Sequence, residues 1–95
     1  MSVRQVNVRP DSGGAYTYER PMRGVVRAVE VKVGTLTTPD ITVTDGVYGT
    51  AIYSGTGIVA DLVADADVAV MGTLKVVVAG AGDTTKGTVN VLVET

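Results

Sequence analysis

Alternating apolar and polar positions run through most of the chain and predict short β-strands. The clearest case is GVVRAVEVKV, in which Val29, Val31 and Val33 alternate with Glu30 and Lys32. Successive side chains of a strand point to opposite faces, so this pattern is typical of a strand with one buried face. The valines are therefore predicted to face a core and the two charged side chains to face water.

Six other segments have the extended character of short strands. They cover residues 3–8, 16–20, 41–44, 47–54, 74–79 and 88–93. With residues 24–33 they give about seven strands at roughly ten-residue spacing and no helical run. The predicted fold class is all-β: an antiparallel β-sandwich, jelly-roll or Ig-like, of about seven short strands with an extended N-terminal arm.

Turn residues divide the chain near its beginning. Proline, aspartate, serine and two glycines follow one another at residues 10–14, and Pro21 ends the second extended piece. Proline lacks the N–H that a sheet ladder needs, so this piece is predicted at a sheet edge. We therefore expect residues 1–22 to form an extended N-terminal arm or edge strands, and residues 23–95 to form the β-sandwich domain.

The segment at residues 55–72 gives a mixed signal. Its first half has the apolar spacing of a short amphipathic helix, whereas Asp65 and Asp67 alternate with Val68 and Val70 as in a strand. We predict an irregular or strand-containing connection, with a one-turn helix as the alternative.

A glycine-rich loop with one lysine joins the last two apolar runs, in KVVVAGAGDTTKGTVNVLV. A Walker phosphate loop needs G-x-x-x-x-G-K-[ST] followed by a helix. Here Thr85 stands at the second glycine position, Gly87 at the hydroxyl position, and a predicted strand follows. We interpret the loop as the bend of an antiparallel hairpin and Lys86 as a solvated charge.

Two further patterns match ligand sites loosely. GTGIVA, at residues 55–60, fits the dinucleotide fingerprint G-x-G-x-x-A, but a βαβ unit is needed around it and the chain has too little helix. Asp61, Asp65 and Asp67 supply carboxylates that Ca²⁺ accepts, but their spacing fits no Ca²⁺ loop. We interpret the first as a flexible turn and the second as solvated acids.

Composition narrows the function classes. The chain has 95 residues, twenty valines, four tyrosines, and no cysteine, histidine, tryptophan or phenylalanine. Without histidine and cysteine, the usual general base, nucleophilic thiol and commonest metal ligands are missing. We therefore do not expect catalysis, a bound metal ion or a cofactor. A valine core with few aromatic side chains also predicts that the isolated monomer is only marginally stable.

Charge is distributed unevenly along the chain, whose net charge is −2. Residues 1–32 carry six basic and three acidic side chains, whereas residues 33–95 carry two basic and seven acidic ones. This asymmetry predicts contact with an acidic partner or head-to-tail contact between copies. No apolar run is long enough to cross a bilayer and no signal sequence is recognised, so we expect synthesis and retention in the cytosol unless the chain leaves within a larger particle.

Tyrosine and arginine are enriched at interface hot spots, and the first quarter of the chain holds four of the five arginines and two of the four tyrosines. The alternative is that the tyrosines cap the sandwich core. Nucleic-acid binding would also use such residues, but the acidic chain argues against it. The predicted partner interface comprises Arg4, Arg9, Tyr16, Tyr18, Arg20 and Arg23.

The sequence contains RGVVRAVEVKVGTLTTPDITVTD at residues 23–45 and GTLKVVVAGAGDTTKGTVNVLVE at residues 72–94. These alternations of valine, threonine and glycine resemble small proteins encoded among the head genes of tailed bacteriophages. Between residues 55 and 72 the chain is shorter than those proteins and lacks their aromatic-Pro-Arg patch.

The resemblance implies a virion structural protein that decorates or cements the capsid shell by binding the major capsid protein. It implies a location on the capsid surface after assembly in the host cytoplasm, and a homo-oligomer, expected to be a trimer. Nucleic acid and membranes are not expected partners. The alternatives are a head-tail joining or tail structural protein, and a carbohydrate-binding or cell-surface sandwich module.

Overall fold

A computed structural model describes residues 2–94 of the chain, and within that range it contains eight strands and no helix. The all-β fold class is therefore confirmed. The strands are β1 (Ser2–Val8), β2 (Tyr16–Pro21), β3 (Gly24–Lys32), β4 (Asp40–Asp45), β5 (Ala51–Gly55), β6 (Leu62–Val70), β7 (Thr73–Ala79) and β8 (Gly87–Glu94). The predicted boundaries at Met1 and Thr95 lie outside the described residues.

The strands form two four-stranded antiparallel sheets. Sheet A has the order β1-β8-β3-β6, and sheet B has the order β2-β7-β4-β5. The antiparallel pairs β1 with β8, β2 with β7, β3 with β6 and β4 with β5 are those of one long hairpin ribbon folded across itself. This is the jelly-roll arrangement; an Ig-like sandwich would keep the first two strands in the same sheet.

The core lies between the sheets and is built mainly from valine. Val29, Val31 and Val33 are buried, while Glu30 is half-buried and Lys32 is exposed, so the predicted faces of β3 are confirmed. The largest fully buried side chains are Ile41 and Leu74. Stiff β-branched side chains suit a pleated surface, which explains how a core of this composition forms sheets.

Residues 62–70 form a strand that brings the total to eight, one more than the approximate number predicted. The one-turn helix considered for this segment is wrong. Ile58 is buried because the loop before β6 inserts it into the core, not because it lies on a helix face. Within β6, half-buried residues such as Leu62 and Ala66 alternate with the exposed Asp65 and Asp67.

The predicted hairpin of the last two strands is also wrong. Strand β7 pairs with β2 and β4 in sheet B, whereas β8 pairs with β1 and β3 in sheet A. The loop of residues 80–86 therefore crosses from one sheet to the other. Its Ala81 is buried, donates to the carbonyl of Gly14 and accepts from the N–H of Thr37, so the loop is anchored to two other crossovers.

The predicted strand at residues 47–54 begins later, at Ala51, because residues 46–50 form a turn.

The first two strands lie at sheet edges: β1 is an edge strand of sheet A, and β2 is an edge strand of sheet B. Val6 and Val8 of β1 are buried in the core. The described part of residues 1–22 therefore contributes to both sheets.

Candidate docking surface

Three short connections meet at one end of the sandwich, which we call the turn end. They are residues 22–23 between β2 and β3, residues 46–50 between β4 and β5, and residues 71–72 between β6 and β7. The opposite end, which we call the loop end, carries the longer crossovers. Hydrogen bonds connect the turns: the N–H of Met22 donates to the carbonyl of Gly72 at 3.0 Å, and the N–H of Gly46 donates to that of Thr73 at 2.8 Å.

Asp45 organises the turn end from the last position of β4. It is 1% exposed, the one buried charged residue within residues 2–94. One carboxylate oxygen accepts from the N–H groups of Val47 at 3.0 Å and Thr73 at 3.2 Å, with a longer contact to Tyr48 at 3.4 Å. The other accepts from Met71 at 2.9 Å and Gly72 at 3.2 Å. One side chain thereby joins two turns that are far apart in sequence.

These hydrogen bonds keep Asp45 ionised in the folded protein. The N–H of Met71 contributes most to lowering the pKa of Asp45 to about 2, and burial opposes that change. The N–H groups of Val47, Thr73 and Tyr48 lower the pKa further. Hydrogen bonds to a carboxylate favour its charged form, and here they outweigh desolvation.

The turns held by Asp45 present apolar side chains to solvent. Val47, Tyr48 and Met71 are 62%, 67% and 60% exposed, and we call these three residues the apolar tip. Val47 packs closely against Gly72, where a methyl group in place of the glycine hydrogen would lie only 2.7 Å from the Cβ of Val47. Large exposed apolar groups cost free energy in water, and clustered ones mark interaction sites more often than scattered ones do.

A groove of about 500 Å³ opens beside the β2–β3 connection. It is lined by Ser2, Val3, Arg4, Gln5, Met22, Arg23 and Val93. Because Met22 is hydrogen-bonded to Gly72, the groove adjoins the turn that carries Met71. The turn end thus combines an apolar tip with a groove that bears two guanidinium groups.

The structure places the six predicted interface residues in different settings. Arg4 and Arg23 come together in the groove. The guanidinium of Arg20 lies over the ring of Tyr18, 5.5 Å from its centroid. Tyr16 and Tyr18 are partly buried against the core, so they do cap it while keeping some exposed surface.

Arg9 is exposed and follows the end of β1, so it lies near the loop end, away from the groove. The prediction therefore grouped residues that the fold separates. It also missed Asp45, Val47, Tyr48 and Met71. The available signal was Asp45-Gly46 followed by two large apolar residues where a turn should be polar.

The three aspartates considered for Ca²⁺ have separate environments. Asp61 accepts from the N–H of Val33 at 2.9 Å, and Asp67 pairs with Arg27, whose other partner is Glu94. Arg27 sits at a β-bulge of β3, which turns its side chain to the outer face of sheet A. Within residues 2–94, no group of three acidic, histidine or cysteine side chains is arranged to hold a metal ion.

Comparisons with known proteins leave the family open. Neither the protein-family models nor the curated proteins contain a match to this chain. The resemblance to phage head proteins therefore stays a prediction, and the turn end is the feature from which a function can be argued.

In the described part of the chain, no helix has the length and apolar character to span a membrane.

Proposed function

We propose that the protein is a bacteriophage virion structural protein that decorates or cements the capsid shell, and that it docks onto the major capsid protein through its turn end. The observation that carries the docking proposal is the apolar tip, whose backbone is hydrogen-bonded to Asp45, next to a groove lined by Arg4 and Arg23. The virion assignment comes from the sequence resemblance.

The chemistry of the turn end supports a protein partner. Tyrosine, methionine and arginine are enriched at protein interfaces, and Tyr48, Met71 and Arg23 supply one of each. Since Asp45 already fixes the turns, docking loses less conformational freedom than it would with mobile loops. Two arginines beside the apolar tip favour an acidic rim on the partner and would accelerate association at low salt.

Size and fold are compatible with a decorating role. Jelly rolls occur in viral capsid and lectin domains, although a fold by itself does not specify function. A domain of 95 residues buries a limited core, and binding to a shell stabilises the folded state by mass action. Many identical sites on a shell would add multivalency if the protein is an oligomer.

Co-sedimentation with empty capsids tests the apolar tip. We expect the double variant Tyr48→Ala/Met71→Ala to bind at least about tenfold more weakly, because truncating a central interface anchor costs about 2 kcal/mol or more. The matched control is Val59→Ala, since Val59 is 79% exposed but lies at the loop end. If the wild type binds capsids and the double variant binds them equally well, the apolar tip is not the docking surface.

Charge reversal tests the groove separately. Arg23→Glu should weaken capsid binding and reduce its dependence on salt, whereas Lys86→Glu, an exposed site at the loop end, should leave both unchanged. Circular dichroism of each variant verifies folding. If wild-type protein fails to bind capsids of the phage that encodes it, the decoration proposal itself is wrong.

A further inference from the structure

The edges of sheet A are more open to strand addition than those of sheet B. Strands β1 and β6 are seven and nine residues long and contain neither proline nor lysine. In sheet B, β2 ends in Pro21 and β5 has only five residues. Proteins commonly protect exposed edges with proline, lysine or short strands, so the two edges of sheet A lack protection that sheet B has.

The two edges of sheet A carry opposite charge. Residues 2–9, at the β1 edge, contain Arg4 and Arg9 and no carboxylate. Residues 61–70, at the β6 edge, contain Asp61, Asp65 and Asp67 and no basic residue. Asp67 is paired with Arg27 of β3, which, among the residues described, leaves Asp61 and Asp65 without a basic partner in the same sheet edge. Like edges of two molecules would repel each other, whereas unlike edges attract.

Strand direction also allows the unlike edges to pair. Strand β1 is antiparallel to β8, β8 is antiparallel to β3, and β3 is antiparallel to β6. Strand β6 therefore runs opposite to β1 within the same sheet. When a second molecule continues the sheet in the same orientation, its β1 meets the β6 of the first as an antiparallel neighbour.

Each edge also exposes an apolar side chain on the outer face of sheet A. Gln5, Asn90, Glu30 and Val63 are successive partners across the sheet, so Val63 shares a face with Gln5 and, two residues away, with Val3. Val3 and Val63 are 60% and 64% exposed. A junction between β1 and β6 would cover part of the exposed surface of both side chains.

We propose that copies of this chain associate head to tail, with the β6 edge of one molecule adding to the β1 edge of the next to make a continuous antiparallel sheet A. A heterologous contact of this kind forms a closed ring when the rotation between copies closes, and otherwise a filament. The inference stands whether or not the protein binds capsids. The junction leaves the apolar tip exposed for a different partner, but it covers the β1 side of the groove.

Charge-reversal variants, measured alone and as a mixture of the two, test the proposal. Asp65→Lys makes the β6 edge less acidic, and Arg9→Glu removes the charge excess of the β1 edge; both side chains are exposed. Light scattering after size exclusion should give the wild type a mass of at least twice the 9.7 kDa of one chain. Each variant alone should associate about tenfold more weakly. An equimolar mixture should recover association at least to the dimer, because the unchanged β6 edge of the Arg9→Glu variant can still meet the unchanged β1 edge of the Asp65→Lys variant.

A matched control is Lys75→Glu, which changes a charge on the outer face of sheet B, away from both edges. It should associate like the wild type. A wild type that stays monomeric up to millimolar concentration would overturn the proposal. So would association that neither reversal weakens, or variants whose mixture fails to recover, since these results exclude contact between the two unlike edges. Circular dichroism establishes that each variant is folded.

Discussion

The backbone N–H of Met71 donates a 2.9 Å hydrogen bond to the carboxylate of Asp45, which lies 26 positions earlier in the chain. This bond connects two turns. One is the β6–β7 turn, which crosses from sheet A to sheet B, and the other is the β4–β5 turn, which lies within sheet B. Because the same carboxylate also binds Val47, the backbone of the apolar tip is fixed by a single buried charge. Both the stability of the protein and its docking are therefore expected to depend on Asp45.

Acid should weaken the fold through Asp45. Its pKa is lowered from 3.8 to about 2 in the folded protein, so the unfolded chain binds the proton more readily. The stabilisation is complete above the unfolded pKa and is lost as pH falls from about 4 through about 2. Thermal unfolding of the wild type and of Asp45→Asn should converge over this range. A constant difference between them would show that the ionised carboxylate is not what stabilises the turns.

At neutral pH, Asp45→Asn should destabilise the protein. The amide keeps one acceptor oxygen but turns an N–H₂ group towards backbone N–H donors, which leaves buried polar groups unpaired. Urea unfolding should show a lower midpoint, and amide exchange at Gly72 and Thr73 should accelerate. The control is Asp65→Asn on the exposed face of β6, for which little change in the midpoint is expected.

The inward-facing residues could be predicted because alternation reports burial directly. Val29 and Val31 in β3 are fully buried as their spacing indicated. Strand pairing could not be predicted in the same way. A valine-rich strand of a hairpin and one that crosses between sheets have the same alternation, and the glycine-rich loop at residues 80–86 suits either connection.

The candidate site was predicted only in part, for a related reason. Arg4 and Arg23 meet because β1 and the β2–β3 connection share one end of the sandwich, and that depends on the topology. The role of Asp45 depends on residues up to 28 positions away. A local pattern identifies Asp45-Gly46 as a turn, but it does not show which other turn the carboxylate will bind.

Truncating a fully buried leucine of the core should cost much of the stability. Leu74 lies in β7, a central strand of sheet B, and Leu74→Ala should lower the free energy of unfolding by about 2–5 kcal/mol through lost burial and the cavity left behind. That is a large share of the total of about 5–15 kcal/mol for a typical domain. Leu92→Ala, at a half-buried position of β8, should cost less in the same urea titration.

Substituting two glycines that have nearly the same backbone φ allows the cost of backbone strain to be distinguished from the cost of steric overlap. Gly34 has φ of 56° and Gly57 has φ of 57°. A Cβ at Gly34 would overlap the carbonyl oxygen of Lys86, which already accepts from the N–H of Thr35, whereas a Cβ at Gly57 would meet nothing within 4 Å.

Gly57→Ala should therefore cost about 1 kcal/mol, the usual strain of an alanine in the left-handed region. Gly34→Ala should cost clearly more, because the loop of residues 33–39 must also move away from the loop of residues 80–86. Urea unfolding of the two variants at neutral pH measures the difference directly. Equal losses would mean that these crossovers are loosely packed, and that the loop end can shift to admit a methyl group at no cost beyond the backbone strain.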